Sequence, residues 1–206
     1  MEKYHKIQTV FKRDVSTKYK TLLVNDYSLP EFEYLKDCEW VFTEKVDGTN
    51  IRVMFENGQL LFGGKTDNSQ MPVSLMVSLA NTFSVESMQS VFDDSNVCLY
   101  GEGYGAKIQK GGGNYRPDQG FVLFDIKIDG WWIERYNVEA VASKLDIPVV
   151  PVIGRGPLDD MVDMCRSGFV STWGNFQAEG IVARPKCELK SRSGSRIITK
   201  LKCTDF

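Results

Sequence analysis

Apolar positions along this chain come in short runs and alternations more often than at helical spacing. Residues 39–43 and 51–56 run or alternate apolar, and the Asn-Gly in "ENGQ" (56–59) signals a hairpin from which "LLFGG" returns as partner strand. Leu75, Met76, Leu79, Ala80 and Phe83 keep helical spacing behind Pro72, which predicts an amphipathic helix over 72–83 or beyond. "VCLYGE" (97–102) and "GFVLFDIKI" (120–128) read as buried strands, and Asp129-Gly130 turns the chain into "WWIER". Asn137 is placed to cap a helix to about Leu145, and "PLDDMVDMCRSG" (157–168) predicts another, opened by Pro157 and closed by Gly168. "EGIVAR" (179–184) and "RIITKLKC" (196–203) read as the last strands. Strands outnumber helices and hairpins recur, so the expected class is α+β with antiparallel sheets and flanking helices. The βαβ alternation of a Rossmann fold is missing.

Composition is that of an ordinary globular chain, 42% hydrophobic and 25% charged over 206 residues, with no repeat or low-complexity run. No apolar stretch reaches signal-peptide or membrane-spanning length. The five cysteines are scattered, with no CxxC pair, which fits a reducing cytoplasm better than a disulfide framework or zinc site. Net charge is −2, yet the charge is unevenly spread. Residues 184–202 hold seven basic side chains against Glu188, and residues 3–20 hold six against Asp14. Such local cationic surfaces bind phosphates even on an anionic molecule.

Two glycine patterns fail on inspection. "GGKT" (63–66) resembles the end of a Walker A loop, but position 59, where its first glycine belongs, is Gln59. "GEGYGA" (101–106) matches a dinucleotide fingerprint, but the loop "KIQKGGGNYRP" follows it instead of a helix. What remains is a set of charges on strands that otherwise read as buried. Lys45 ends one strand just before Asp47-Gly48, Glu102 follows "VCLYG", and Asp125 lies inside "VLFDI". Glu179 opens "GIVAR", and Lys200 and Lys202 alternate along "ITKLK". A charge in such a place is costly unless paired or used. Each alone reads as a satisfied ion pair or an edge residue; together they can line one cleft between sheets. Lys200 and Lys202 point to the same side of their strand, where two like charges demand an anion.

In order, "KVDG" (45–48), "YGEGYG" (100–105), "FVLFDI" (121–126), "AEGIVAR" (178–184) and "ITKLK" (198–202) resemble the motifs of the covalent nucleotidyltransferases, the DNA and RNA ligases and messenger-RNA capping enzymes. Within them the chain is similar to phage-type RNA ligases, the branch of the second RNA ligase of phage T4. Asn50 in "DGTN" carries that likeness, since DNA ligases and capping enzymes usually have arginine there. Lys65 departs from it: this branch commonly has arginine at that place, and lysine does not grip a phosphate bidentately.

The resemblance implies a nucleotidyltransferase (ATP-grasp-like) core with the active site between sheets. It implies ATP-dependent joining of 5′-phosphate and 3′-hydroxyl RNA ends, nicked or in a hairpin, through lysyl-AMP and adenylylated RNA. Lys45 is then the nucleophile, with Lys200 and Lys202 neutralising phosphate charge. Glu179 is the expected carboxylate for Mg²⁺ (or Mn²⁺), Glu102 the ribose contact and Phe124 the adenine platform. Glu44 is placed to read the adenine amino group, and Asn50 and Lys65 belong to the nucleic-acid side. Residues 1–206 are expected as one adenylyltransferase domain without the OB or helical module usual in relatives, which leaves room for a protein partner that supplies it. The expected setting is cytoplasm, that of an infected host if the gene is a phage's. A minimal DNA ligase, a capping-type enzyme and an inactive end-binding relative stay as alternatives.

Overall fold

The computed structural model describes residues 3–206. In chain order its elements are β1 (Gln8–Thr9), β2 (Phe11–Arg13), β3 (Leu22–Tyr27), α1 (Pro30–Tyr34), β4 (Trp40–Lys45), β5 (Thr49–Glu56) and β6 (Gln59–Gly63). Then come α2 (Val73–Thr82), α3 (Val85–Phe92), β7 (Val97–Gly105), β8 (Gln119–Ile128), β9 (Trp131–Trp132) and α4 (Arg135–Lys144). The last are β10 (Val152–Gly156), α5 (Leu158–Ser167), β11 (Gly180–Pro185) and β12 (Thr199–Lys202). They fall into two compact units. Residues 3–4 and 47–150 form an insert unit, and residues 5–46 and 151–206 form the unit that carries Lys45, the lysine unit.

The lysine unit is built on a five-stranded sheet of order β1-β12-β11-β4-β10, with the hairpin β2-β3 beside it in sequence. Four strands pair antiparallel, as the pattern predicts, but β1 joins β12 in parallel, Gln8 opposite Thr199. Phe42, Ile181, Ala183 and Leu201 project from one face into a core closed by Leu158, Met161, Val162 and Cys165 of α5. Alternation then sends Thr43, Lys45, Val182, Lys200 and Lys202 to the other face.

In the insert unit a second sheet, β6-β5-β7-β8-β9, is antiparallel throughout. Ile51, Val53, Phe55, Leu99 and Phe121 pack against Leu75 and Leu79 of α2, Met88 and Phe92 of α3, and Val138 and Ala142 of α4. The hairpin at Asn57-Gly58 forms as expected, with both residues at positive φ. Two helix boundaries differ from the pattern. Ser84 and Ser87 build a reciprocal cap that starts α3 immediately after α2. Asn137 lies in the first turn of α4 and not at its cap, because Arg135 anchors that turn by donating to Glu139 and to the Val150 carbonyl. Among the described residues no helix is long and apolar enough to cross a membrane.

Candidate functional site

Lys45, the last residue of β4, lies opposite Gly180 of β11, and Gly180 lies opposite Lys202 of β12. The three form one row across the sheet, on the face turned away from α5. Gly180 has no room for a side chain: a Cβ there would come within 2.1 Å of the Leu201 carbonyl oxygen. Its neighbour Glu179 joins the two lysines. The Lys45 ammonium donates to Glu179 Oε2 at 2.6 Å, and Lys202 Nζ lies 2.8 Å from Oε1. Neither lysine is deeply buried, with 21% and 43% of the side chains exposed, while Glu179 keeps only 11%. Lys200 stands one step along the same face, opposite Val182. For Lys45 and Lys202 the counter-anion is therefore present in the chain itself.

Glu44 points to the other side of β4 and is 1% exposed. Its carboxylate accepts from the Ser171 hydroxyl at 2.5 Å and from the Thr172 amide and hydroxyl at 2.9 and 2.7 Å. A carboxylate has about four acceptor positions, so three held ones fix its orientation and leave one. Nothing in the sequence pattern pointed to Ser171 or Thr172, which lie in an irregular stretch after α5. On that α5 side, a cavity of about 530 Å³ is lined by Phe42, Arg155, Asp160, Met164 and Phe169 and holds none of the candidate residues.

Asn50, Glu102 and Phe124 lie in the insert unit on the sheet face away from α2, α3 and α4. Asn50 is the direct cross-strand partner of Glu102. Phe124 is the extra residue of a bulge: Tyr100 opposes Asp125 and Gly101 opposes Leu123. Bulges of this kind re-aim a side chain, and here the ring reaches an aromatic group. Tyr4 meets Phe124 edge-on at 5.0 Å and also touches Tyr100 and Trp132, while its hydroxyl donates to Asp125 at 2.8 Å. That bond, with one from the Ile126 amide, accounts for an aspartate with no exposed surface.

The Asp47-Gly48 turn packs beside Glu102. A Cβ on Gly48 would fall 2.2 Å from the Gly103 carbonyl oxygen and 2.8 Å from Glu102 Cγ, so the glycine is required by close approach to β7. The loop after β7 holds the turn at two points: Gln109 donates to the Gly48 carbonyl, and Tyr115 accepts from the Asp47 amide. Lys65 is exposed in the loop after β6.

A sequence profile of the RNA ligase family matches residues 38–202. The chain belongs to the RNA ligase family. Among solved structures it is similar to a Naegleria gruberi RNA ligase mutant with ATP and Mn, at 18% identity and a TM-score of 0.72 over 98% of this chain and 56% of the other. A second mutant with ATP and Mn gives 16%, 0.69, 100% and 60%, and the same ligase with PPi gives 18%, 0.68, 95% and 56%. The chain thus spans little more than half the length of the structures it matches. At these identities the likeness establishes the nucleotidyltransferase fold of those ligases.

Proposed function

We propose that this protein is an ATP-dependent RNA ligase that joins 5′-phosphate and 3′-hydroxyl ends through a lysyl-AMP formed on Lys45. The observation that carries this reading is the ion-pair bridge Lys45–Glu179–Lys202 in a chain of the RNA ligase family. Attack on the α-phosphate of ATP requires a neutral amine. Glu179 Oε2, 2.6 Å away, is the acceptor within reach of the Lys45 proton. Once that proton has left, the Lys45 nitrogen bonds to phosphorus and pyrophosphate departs with the bonding pair. Lys200 and Lys202, on the same face, neutralise charge on the phosphates as they are attacked.

Among the described residues no three His, Cys, Asp or Glu side chains gather into a metal cage. A single carboxylate fits Mg²⁺ or Mn²⁺ nonetheless, because Mg²⁺ keeps much of its water and is commonly held by one or two carboxylates plus substrate phosphates. Glu179 would hold it, and the ion would supply Lewis-acid neutralisation of phosphate charge. Glu102 takes the ribose hydroxyls and Phe124 the adenine face; Glu44, buried on the face of β4 opposite Lys45, holds the Ser171–Thr172 stretch in place. Asn50 and Lys65 meet the RNA ends.

Incubation with α-labelled ATP and Mg²⁺ followed by denaturing electrophoresis tests this. Wild type is expected to retain label and Lys45→Ala to retain none, with sealing of 5′-phosphorylated RNA following the same order. Unlabelled wild type whose intact mass also shows no AMP would sink the reading. Label with sealing of DNA ends only would replace it by the DNA-ligase alternative.

A further inference from the structure

Arg52 is an arginine with no exposed surface in the middle of β5. Arginine is almost never buried to this degree unless its charge is held. Its guanidinium reaches out of the sheet into the loop after β6. Nε donates to the Gly64 carbonyl at 2.8 Å and Nη2 to Asp67 at 3.0 Å. The two anchor points bracket Lys65 and Thr66. Thr66 is tied in turn to Ser69, whose hydroxyl accepts from the Thr66 amide and whose amide donates to the Thr66 carbonyl. Arg52 also follows Asn50 by two residues, so both side chains leave β5 on the same face.

We infer that Arg52 is the positioning residue that presents Lys65 to the 5′-phosphate of the RNA end, an assignment that rests on the ligase reading above. The reason lies in the departure at position 65. Arginine there would set its own geometry by bidentate contact with phosphate; lysine is a point charge on a four-carbon stem. A point charge discriminates an end only if the backbone beneath it is fixed. Arg52 ties that loop on both sides of Lys65, at the Gly64 carbonyl and at the Asp67 side chain, with one rigid fork, and a buried fork does so without competing for the phosphate. The guanidinium also holds the Asp67 carboxyl below the usual carboxylate range.

The test compares binding of 5′-monophosphate and 5′-hydroxyl RNA oligonucleotides of one sequence at several salt concentrations. Wild type, Arg52→Gln, Lys65→Ala and the double variant are measured, with thermal melting as a folding control. Wild type is expected to prefer the phosphorylated end. Arg52→Gln and Lys65→Ala should each lower that preference about tenfold and flatten the slope of log affinity against log salt by about 0.7, the loss of one phosphate contact on a single strand. If Arg52 acts through Lys65, the double variant matches Lys65→Ala. A structural role alone would make the two losses add. Should Arg52→Gln not fold, Asp67→Asn opens the clamp from its exposed side and is expected to lower the preference several-fold. The inference is overturned if wild type shows no preference, if Arg52→Gln or a folded Asp67→Asn keeps it whole, or if the double variant loses more than Lys65→Ala. Failure of the ligase reading is read separately, from missing label on Lys45.

Discussion

Glu179 serves two lysines with its two oxygens, and this makes it the most exposed point of the proposed chemistry to mutation. Glu179→Gln keeps the shape and loses the charge, so Lys45 loses its proton acceptor, Lys202 its counterion and the metal ion the carboxylate that would hold it. Lysyl-AMP formation should fall at least about 100-fold, within the usual range for a lost acid–base group and equal to about 2.7 kcal/mol of barrier. Raising the pH should restore part of the rate, since hydroxide then does what the carboxylate did. A variant within about threefold of wild type in single-turnover labelling would remove Glu179 from the proton path. Lys45, Glu179, Lys200 and Lys202 stand out in the sequence because each ends, opens or interrupts an apolar strand. Arg52 interrupts one equally plainly, in "IRVMF", but its partner Asp67 sits in a loop that periodicity does not read. Ser171 and Thr172 gave no signal at all: their meaning comes only from Glu44.

Helix α5 shows what an element contributes while carrying none of the candidate residues. Its buried side backs the strands that hold Lys45 and Lys202, and Cys165 on that side lies near Cys203, the residue after Lys202. Burial, with smaller additions from Cys203 and Asp205, pushes the Cys165 thiol far above its ordinary range, and burial raises Cys203 as well. For an acid, a raised folded-state pKa means the unfolded thiol ionises first. The associated stability is fully present below about pH 8.5 and is lost as pH rises through and beyond that value. The urea midpoint should therefore decline above about pH 8.5, and less so in Cys165→Ala. Iodoacetamide at pH 8 should mark the exposed Cys38 and Cys187 and spare Cys165 and Cys203 in the native protein, which peptide mass mapping checks. Helix α5 was readable from its Pro157 and Gly168 punctuation. Strand β10 was not, because a half-exposed edge strand "VIGRG" carries neither alternation nor an apolar run.

At the scale of the whole molecule, antiparallel sheets with few helices follow from the hairpin signals and short apolar runs. The division into two units does not, since residues 47–150 read as a seamless continuation of the strands on either side. Nor does the parallel pairing of Gln8 with Thr199: two polar residues carry no pattern, and the bond between them spans 191 positions. The insertion of residues 47–150 into the sequence of the other unit has a consequence for synthesis. All strand partners within residues 47–150 exist once residue 150 has left the ribosome, whereas β4 waits for β10 and β11. Lys45 is made early, but its carboxylate partner lies 134 residues later. At about 5–20 residues per second, that is roughly 7–27 s of translation. On the ligase reading, the lysine proposed as nucleophile is thus exposed to cellular ATP for most of the chain's synthesis without its proposed proton acceptor. Chains stalled before residue 179 should take no label from ATP, and chains with residues 1–206 clear of the tunnel should take it, so that competence to react arrives after the fold that controls it.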